Sequence, residues 1–317
     1  MKILVTGVAG AIGSHLAERL LGLGHEVVGI DALTDYYSPE IKKINAKDVE
    51  EKGGKIFFKN LVNDPIDNIV RGVDVIFNMA AQPGISATTP FEDYLNNNIV
   101  ATERLLQSSK KSSKLKMFFQ ASTSSVYGVR ADGDETTEPK PTSYYGVTKL
   151  AAEQLAMSYY RDLEIPVSVL RFFSVYGERE RPEKFYHRLI KSILENKEVS
   201  FFTGSEYHVR SYTYVGDIVD GCILALNNLE KVNGEIFNMG SDKTATTGEG
   251  MQIVEKIMGQ KAKLKILPRR RGDQFETSAH IGKIKALLGY SPRVSLEEGL
   301  AAEIKWYKGK IFNKIKQ

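Results

Sequence analysis

The chain has 317 residues, 42% of them hydrophobic, which suffices for one large domain or two closely associated domains. The 43 basic and 39 acidic residues leave a net charge of only +4, and their dispersal argues against a nucleic-acid partner. No stretch is apolar enough to span a bilayer, Met1 begins no signal-peptide pattern, and the single cysteine, Cys222, excludes an internal disulfide. These features predict a cytoplasmic protein without a membrane partner.

Short apolar runs alternate with helical periodicity in the first half of the chain. The runs cover residues 3–5, 27–30, 56–58, 73–77, 116–119 and 167–170. Helical patterns lie between them, at residues 12–23, 94–109 and around Tyr145 and Lys149. Buried strands joined by crossover helices indicate a parallel, doubly wound α/β sheet of the Rossmann type.

The pattern breaks after Tyr176 into irregular segments, with a helix expected near residues 185–195. We therefore predict a smaller C-terminal α/β lobe that binds the substrate over the carboxyl edge of the sheet. The expected dinucleotide-binding domain is 1–175, with 209–240 returning to it. The expected lobe is 176–208 and 241–317.

A glycine-rich turn follows the first predicted strand. Its G-x-x-G-x-x-G pattern lies between that strand and the first predicted helix. Glycines allow a tight turn and close backbone approach, and a helix N-terminus attracts a pyrophosphate. The pattern predicts a dinucleotide site formed by Gly7, Gly10, Ala11, Ile12 and Gly13.

Polar and small residues follow the next predicted strands. Asp31 ends the second strand, where its carboxylate can accept hydrogen bonds from a ribose diol and would repel a 2′-phosphate, which favours NAD over NADP. Asn60 and Leu61 follow the third strand and could contact the adenine, or be ordinary residues at a strand end. Ala80 and Ala81 are small enough to let the dinucleotide pass.

Four consecutive hydroxyl residues end the fifth predicted strand at 122–125, and Tyr145 and Lys149 follow on one face of a predicted helix. A tyrosine phenol titrates at about pH 10, and a nearby ammonium favours the phenolate. We therefore expect Lys149 to move the pKa of Tyr145 toward neutrality, so that Tyr145 can act as general acid or base. Taken alone, the two motifs could also be a serine-rich turn and an ordinary helix surface.

Together these motifs resemble the extended short-chain dehydrogenase/reductase family, and in particular its nucleotide-sugar epimerases, over nearly the whole chain. The resemblance rests on residues 7–13, 122–128, 145–149, 171–177, 210–215 and 270–273. It implies NAD as the cofactor, with Phe172 as a further contact. It also implies a homodimer built on the helices at 97–109 and 145–160.

The resemblance gives three residues catalytic roles. Thr123 matches the hydroxyl that hydrogen-bonds the C4 oxygen of the sugar. Tyr145 matches the group that takes the C4 hydroxyl proton while NAD accepts the C4 hydride, and Lys149 matches the group that binds the nicotinamide ribose. The 4-keto sugar then turns over and the hydride returns to its other face, so NAD ends unchanged.

The same resemblance implies a set of substrate contacts, in which arginines suit the diphosphate because a guanidinium binds phosphate in a bidentate manner. These contacts are Gln82, Asn98, Ser124, Ser125, Ser174, Arg181, Arg210, Arg270 and Asp273.

The hydroxyl residues bear on which sugar is bound. Ser124 and Ser125 stand where 4,6-dehydratases carry an acidic pair, and Ser125 also replaces the glutamate of uronate decarboxylases. With Thr123 and Ser174 they could donate several hydrogen bonds to a C6 carboxylate. Arg181 also fits the uronate 4-epimerase pattern. UDP-glucuronate and UDP-galacturonate are therefore the predicted substrates.

Other functions stay open at this point. Ser86 replaces an arginine that is usual in uronate epimerases, so a UDP-glucose or UDP-N-acetylglucosamine 4-epimerase is the main alternative. A nucleotide-sugar dehydratase or decarboxylase, or a non-catalytic nucleotide-sugar-binding protein, is less favoured. His208 and His280 lack the spacing of metal ligands, so no metal site is predicted.

Overall fold

The computed structural model describes residues 1–86, 88–269 and 274–312, which form a parallel α/β sheet domain and a smaller lobe. In chain order the strands are β1 (Lys2–Thr6), β2 (Glu26–Asp31), β3 (Lys55–Phe58), β4 (Val75–Asn78), β5 (Met117–Thr123), β6 (Arg130–Ala131), β7 (Val167–Phe172), β8 (Val175–Tyr176), β9 (Glu198–Phe202), β10 (Val209–Arg210), β11 (Thr213–Tyr214), β12 (Ile236–Met239), β13 (Ala245–Thr246), β14 (Lys263–Leu267) and β15 (Glu276–Thr277).

The helices lie between these strands. They are α1 (Ala11–Gly22), α2 (Pro39–Glu51), α3 (Asp67–Val70), α4 (Phe91–Tyr94), α5 (Ala101–Ser109), α6 (Tyr144–Leu163), α7 (Phe185–Leu194), α8 (Val215–Leu226), α9 (Leu229–Val232), α10 (Thr247–Met258), α11 (Gly282–Leu288) and α12 (Leu296–Trp306). Two π-helical turns cover Leu95–Val100 and Tyr307–Phe312, and two 3₁₀ turns cover Ser124–Tyr127 and Ser205–Tyr207.

Seven strands of the described chain form one sheet in the order β12-β7-β5-β4-β1-β2-β3, and all neighbours in it are parallel. This confirms the predicted doubly wound sheet of the Rossmann type. The six predicted strands correspond to β1–β5 and β7. Strand β12 was not predicted as a strand, because its four residues, Ile-Phe-Asn-Met, are a short run with a polar residue inside it.

The two faces of the sheet are covered by different helices, because successive side chains of a strand point to opposite faces. Ile3 and Val5 of β1 belong to the core that contains residues of α1 and α8. Leu4 belongs to the opposite core, which contains residues of α5 and α6. Parallel strands end at a common edge, so the residues that follow β1, β2, β4, β5 and β7 meet there.

The smaller lobe is formed mostly by chain segments that follow β7. A four-stranded sheet has the order β13-β10-β15-β6, and β9 pairs with β14. Helices α7, α10 and α12 enclose a third core, with Leu189, Val254 and Leu300 fully buried. The predicted helix near 185–195 is thus confirmed as α7.

The chain crosses between the two parts more than once. Helix α8 packs on α1, and β12 joins the main sheet, whereas β10 pairs within the lobe. Strand β6 belongs to the sheet of the lobe although it precedes β7 in the chain. The division into 1–175 with 209–240, and 176–208 with 241–317, stays a prediction.

Cys222 lies on the buried face of α8, where burial raises the pKa of its thiol. No helix in residues 1–86, 88–269 or 274–312 is long and apolar enough to cross a membrane. The cytoplasmic location expected from the sequence stays a prediction.

Candidate active site

A cavity of about 380 Å³ opens along the carboxyl edge of the sheet. All the residues that the sequence predicts for the dinucleotide line it, although they come from six separate segments. They are Gly7, Gly10, Ala11, Ile12, Gly13, Asp31, Asn60, Leu61, Ala80, Ala81, Tyr145, Lys149 and Phe172.

The glycine turn forms one wall of this cavity and has no room for side chains. Gly7 has a φ of +63°, and a Cβ there would lie 2.9 Å from the Cα of Ala80. A Cβ on Gly13 would overlap the carbonyl oxygen of Gly7. Helix α1 follows with Gly10 as a cap that has no side chain and with no acidic residue in its first turn. The positive end of the helix therefore faces a space that fits a pyrophosphate.

Asp31 is held in a fixed orientation at the end of β2. Its carboxylate accepts hydrogen bonds from the N–H groups of Ala9 at 3.0 Å and Leu33 at 2.8 Å. Burial raises the pKa of this carboxyl, and the two hydrogen bonds act in the opposite direction. A carboxylate fixed in this way can accept bonds from a ribose diol.

Lys42 also lines the first cavity and was not predicted from the sequence. It is only 6% exposed, and its ammonium donates to the carbonyl oxygen of Thr34 at 2.6 Å and lies over the Tyr37 ring. The signal was present in the sequence. Lys42 follows Ile41 directly and lies on the buried stripe of α2, where an aliphatic side chain would be usual.

The proposed catalytic residues come from β5 and α6. Thr123 ends β5, and Tyr145 and Lys149 lie on α6, which begins after Ser143 with a side-chain cap at 3.1 Å. Gly146 lets α6 approach the hydroxyl cluster closely, because a Cβ there would lie 2.6 Å from the Ser125 carbonyl oxygen.

The expected effect of Lys149 on Tyr145 is wrong in this structure. Burial raises the pKa of the Tyr145 phenol above its usual value. The charge of Arg181 and a hydrogen bond with Thr123 lower it, and Lys149 is not among the groups that act on it. The cation that lowers the pKa of the phenol is Arg181, which lies far from Tyr145 along the chain and was therefore not expected from local spacing.

Lys149 is itself buried at 3% exposure. Burial lowers the pKa of its ammonium to about 8, and the carboxylate of Glu153 acts in the opposite direction. The charged form of Lys149 is therefore lost as the pH rises through about 8.

A second cavity, of about 670 Å³, adjoins the first and extends between the sheet domain and the lobe. Tyr145, Ser125, Ser174 and Arg181 line both cavities, so the phenol lies where the two spaces meet. Of the other predicted substrate contacts, Gln82 and Ser124 line the first cavity and Arg210 lines the second. Arg270 and Asp273 lie outside the described residues.

Ser174 has an unusual backbone conformation for a residue with a side chain. Its φ is +35°, and its hydroxyl lies 3.2 Å from that of Thr277 on β15. Its carbonyl oxygen accepts a hydrogen bond from Thr213, so β11 holds this turn in place. Residues kept in the left-handed region cluster at functional sites, where the surrounding structure fixes them.

Arg181 lies on the loop after β8 and packs against Gly84, whose missing side chain leaves room for the guanidinium. One Arg181 nitrogen donates to Glu183 at 2.7 Å. The same loop is anchored by Arg179, which is 7% exposed and pairs with Glu18 of α1 and Asp48 of α2.

The sequence predicts that Arg210 binds the diphosphate, but in the structure its guanidinium already bonds to the main chain. Its guanidinium donates to the carbonyl oxygens of Val209 at 2.8 Å, Phe275 at 3.0 Å and Gln274. These contacts fix the main chain at Gln274 and Phe275.

Glu178, Glu180 and Lys184 also line the first cavity and were not predicted from the sequence.

Asn98 lines neither cavity, in contrast to the predicted substrate contact. It is 1% exposed and clamps the main chain of Gln82, accepting from its N–H at 2.7 Å and donating to its carbonyl oxygen at 3.3 Å. It also donates to the hydroxyl of Thr148 at 2.9 Å. The π-helical turn Leu95–Val100 carries this residue, and the neighbouring Asn97 lines the cavity instead.

Comparisons with known proteins agree with this architecture. The sequence profile of a family described as "NAD dependent epimerase/dehydratase family" matches residues 3–240. An uncharacterized UDP-glucose epimerase of Bacillus subtilis, YtcB, is 40% identical over 96% of this chain and 97% of its own length. UDP-glucuronate 4-epimerase 5 of Arabidopsis thaliana is 34% identical over 98% of this chain and 76% of its own length.

A solved structure is similar over nearly its whole length. The UDP-glucuronic acid 4-epimerase of Bacillus cereus, in complex with UDP-glucuronic acid and NAD, superposes with a TM-score of 0.92. It is 38% identical, with 97% of this chain and 99% of that chain covered.

The hydrogen bonds of Asn98 with Gln82 and Thr148 should contribute to the stability of the fold. Asn98→Leu keeps the volume but leaves both main-chain groups of Gln82 and the Thr148 hydroxyl without this partner, which should lower the free energy of unfolding by about 2–4 kcal/mol. Urea denaturation measures the effect, with Asn96→Leu as the control, because Asn96 is exposed in the same turn. A loss below about 0.5 kcal/mol for Asn98→Leu would contradict the clamp.

Proposed function

The chain belongs to the NAD dependent epimerase/dehydratase family, and we propose that it epimerises C4 of UDP-hexuronates, interconverting UDP-glucuronate and UDP-galacturonate. The enzyme is an NAD-dependent isomerase of nucleotide sugars. The observation that carries the proposal is the position of Tyr145, which borders the cavity lined by the glycine turn and the cavity lined by Arg210.

The first cavity fits the dinucleotide. The N-terminus of α1 would hold the pyrophosphate, Asp31 the adenosine ribose, and Lys149 the nicotinamide ribose. Bound NAD supplies a hydride acceptor and donor at C4 of the sugar. Because the hydride returns, the cofactor has to stay bound through the cycle, which the deep glycine cradle favours.

Tyr145 moves the proton of the C4 hydroxyl. Burial raises the pKa of the phenol, whereas Arg181 and the hydrogen bond with Thr123 lower it. The phenolate would take the proton of the C4 hydroxyl as the hydride leaves C4, and the resulting phenol would return that proton when the 4-keto group is reduced. Thr123 orients the same oxygen of the sugar.

The hydroxyl groups near Tyr145 suit a carboxylate at C6. Ser124, Ser125 and Ser174 line the first cavity, and Arg181 lies beside them. A uronate oxidised at C4 is a β-keto acid that can lose carbon dioxide. Donors that keep the negative charge on the carboxylate oppose that loss, since decarboxylation moves the charge away from it.

The second cavity is suited to the UDP group. Arg188 and Arg210 supply positive charge for the diphosphate, and Phe201 and Tyr212 supply rings that can contact the uracil. The predicted contacts Arg270 and Asp273 belong to the same proposal.

A 4-epimerase of UDP-glucose or UDP-N-acetylglucosamine is the second candidate. The ion pair between Arg181 and Glu183, at 2.7 Å, favours it, because it partly neutralises the cation proposed for the carboxylate. Ser86 acts in the same direction: its hydroxyl accepts from the N–H groups of Thr88 and Thr89 and thus closes a turn, without supplying a charge.

The first test is the substrate itself. The purified enzyme, incubated with UDP-glucuronate, should yield UDP-galacturonate as the product resolved by anion-exchange chromatography. UDP-glucose and UDP-N-acetylglucosamine, measured in parallel, should turn over more slowly. Faster turnover of either neutral sugar would favour the second candidate, and release of a UDP-pentose would reject the uronate epimerase.

Tyr145→Phe removes only the phenolic hydroxyl. We expect turnover to fall by at least about 100-fold, because the proton-transfer group is lost, while NAD remains bound. Tyr144→Phe is the matched control, since Tyr144 is the preceding residue and is 58% exposed. A Tyr145→Phe enzyme with a near-normal rate would exclude Tyr145 as the acid or base.

We also propose a homodimer built on the helices at 97–109 and 145–160. An apolar surface next to them supports it: Phe91, Tyr144 and Val147 are 38%, 58% and 45% exposed, and the Phe91 and Tyr144 rings are in contact. Charged substitutions there should separate the subunits, because a second copy would have to bury them.

Light scattering during gel filtration measures this. The wild-type protein should show twice the 35.4 kDa mass of the chain. The double variant Phe91→Glu/Val147→Glu should show the mass of a single chain. Ile266→Glu, at an apolar position on β14 that is 60% exposed, should stay a dimer. A wild-type mass of one chain would reject the dimer.

A further inference from the structure

A buried ion pair joins α6, the helix that carries Tyr145 and Lys149, to strand β7. The side chains of Glu153 and Arg171 are 0% and 2% exposed, and they form a two-pronged contact. Arg171 donates from Nε to Oε1 of Glu153 at 3.0 Å and from Nη2 to Oε2 at 2.8 Å. The hydroxyl of Ser122 also donates to Oε1. Both oxygens of the carboxylate are therefore occupied.

The arginine is itself held from the other side. Its Nη1 donates to the phenol oxygen of Tyr127 at 2.8 Å, and that phenol donates to Asn238 on β12 at 2.8 Å. Burial alone would lower the pKa of the Arg171 guanidinium, but its hydrogen bonds and charge interaction with Glu153 raise it. The guanidinium is therefore charged and fixed between β5, β7, α6 and β12.

Each member of this group is close in sequence to a residue of the site. Ser122 precedes Thr123, Arg171 precedes Phe172, and Glu153 lies one helical turn after Lys149. Residues four apart on a helix are neighbours, so a free carboxylate at 153 would attract the ammonium of Lys149 into an ion pair. Among the described residues, Glu153 instead pairs with Arg171, and no ion pair joins it to Lys149.

We propose that Glu153 and Arg171 are positioning residues for Lys149. Arg171 occupies the carboxylate of Glu153, so the Lys149 ammonium stays directed at the cofactor cavity, and Glu153 still stabilises its charge from below. The inference rests on the role of Lys149 in the proposed function, but not on the identity of the sugar.

The groups that face Lys149 limit what else could control its charge. Glu153 and Tyr145 lie one helical turn from Lys149 on α6, Arg171 of β7 pairs with the Glu153 carboxylate, and Tyr127 of the 3₁₀ turn after β5 bonds to Arg171. Of these, only Glu153 acts on the pKa of Lys149, which burial lowers to about 8. Removing the carboxylate should lower that pKa further, so the charged form would be lost at a lower pH.

The first experiment uses Glu153→Gln, which keeps the shape of the side chain. Its amide oxygen can still accept from Nε of Arg171 and from Ser122, but its NH₂ group cannot accept from Nη2 of Arg171. The dissociation constant of NAD is measured by titration calorimetry from pH 6 to pH 10, after bound NAD has been removed. Wild-type affinity should weaken as the pH rises through about 8. In Glu153→Gln the same loss should occur about one pH unit lower. An unchanged pH dependence would overturn the proposal.

The second experiment separates positioning from general stability. Arg171→Met frees the carboxylate to capture Lys149. NAD affinity should then fall about 10-fold at pH 7, and the alkaline loss should move to higher pH, because the new ion pair favours the ammonium. In Glu153→Gln/Arg171→Met the affinity should recover, and the loss should move to lower pH. A double variant no better than Arg171→Met would contradict the proposal.

Arg179→Met is the matched control. It removes another buried arginine that pairs with two carboxylates, Glu18 and Asp48, but not beneath Lys149. It should leave the pH of the alkaline loss unchanged, and a shift like that of Glu153→Gln would point to a general effect of lost buried charge. If Arg171→Met does not fold, the pH dependence of NAD affinity in Glu153→Gln is sufficient to test the proposal. NAD binding needs no sugar, so a wrong substrate assignment would leave these results intact.

Discussion

The ion pair between Glu153 and Arg171 is the contact on which the site depends. Removing two charges from water costs several kcal/mol for each ion, so such a pair survives only when its hydrogen-bonding groups are satisfied. Here Ser122 and Tyr127 complete the bonding, and Asn238 extends it to the edge strand of the sheet. The pair therefore fixes the ends of β5 and β7 relative to α6, and with them the hydroxyl cluster and the catalytic helix.

Burial controls the ionisation of the site more than neighbouring charge does. The pKa of the Tyr145 phenol is raised, that of the Asp31 carboxyl is raised, and that of the Lys149 ammonium falls to about 8. All three changes favour the neutral form, as a low-dielectric environment requires. Specific partners act against burial in each case: Arg181 and Thr123 at the phenol, main-chain N–H groups at Asp31, and Glu153 at the lysine.

The local motifs were sufficient for the fold and much of the first cavity. Apolar runs and helical periodicity located six of the seven sheet strands, and residues after those strands meet at one edge because parallel strands share their direction. Lys42 was missed although it follows Ile41 on the buried stripe of α2, because a lysine on a helix usually lies in solvent. The orientation of Asn98 depends on a π-helical turn, which has no sequence signature and directs the amide at Gln82 rather than into the cavity.

The sequence by itself determined the parallel sheet, the glycine cradle, and the presence of Thr123, Tyr145 and Lys149 on neighbouring elements. These features follow from short-range patterns of hydrophobicity and spacing. Only the tertiary structure decided that Arg181 is the cation that acts on Tyr145, and that Arg171 takes the carboxylate next to Lys149. Such partners are distant along the chain, so local spacing does not predict which buried charges form a pair. The pairing depends on how β7 and the loop after β8 pack against α6.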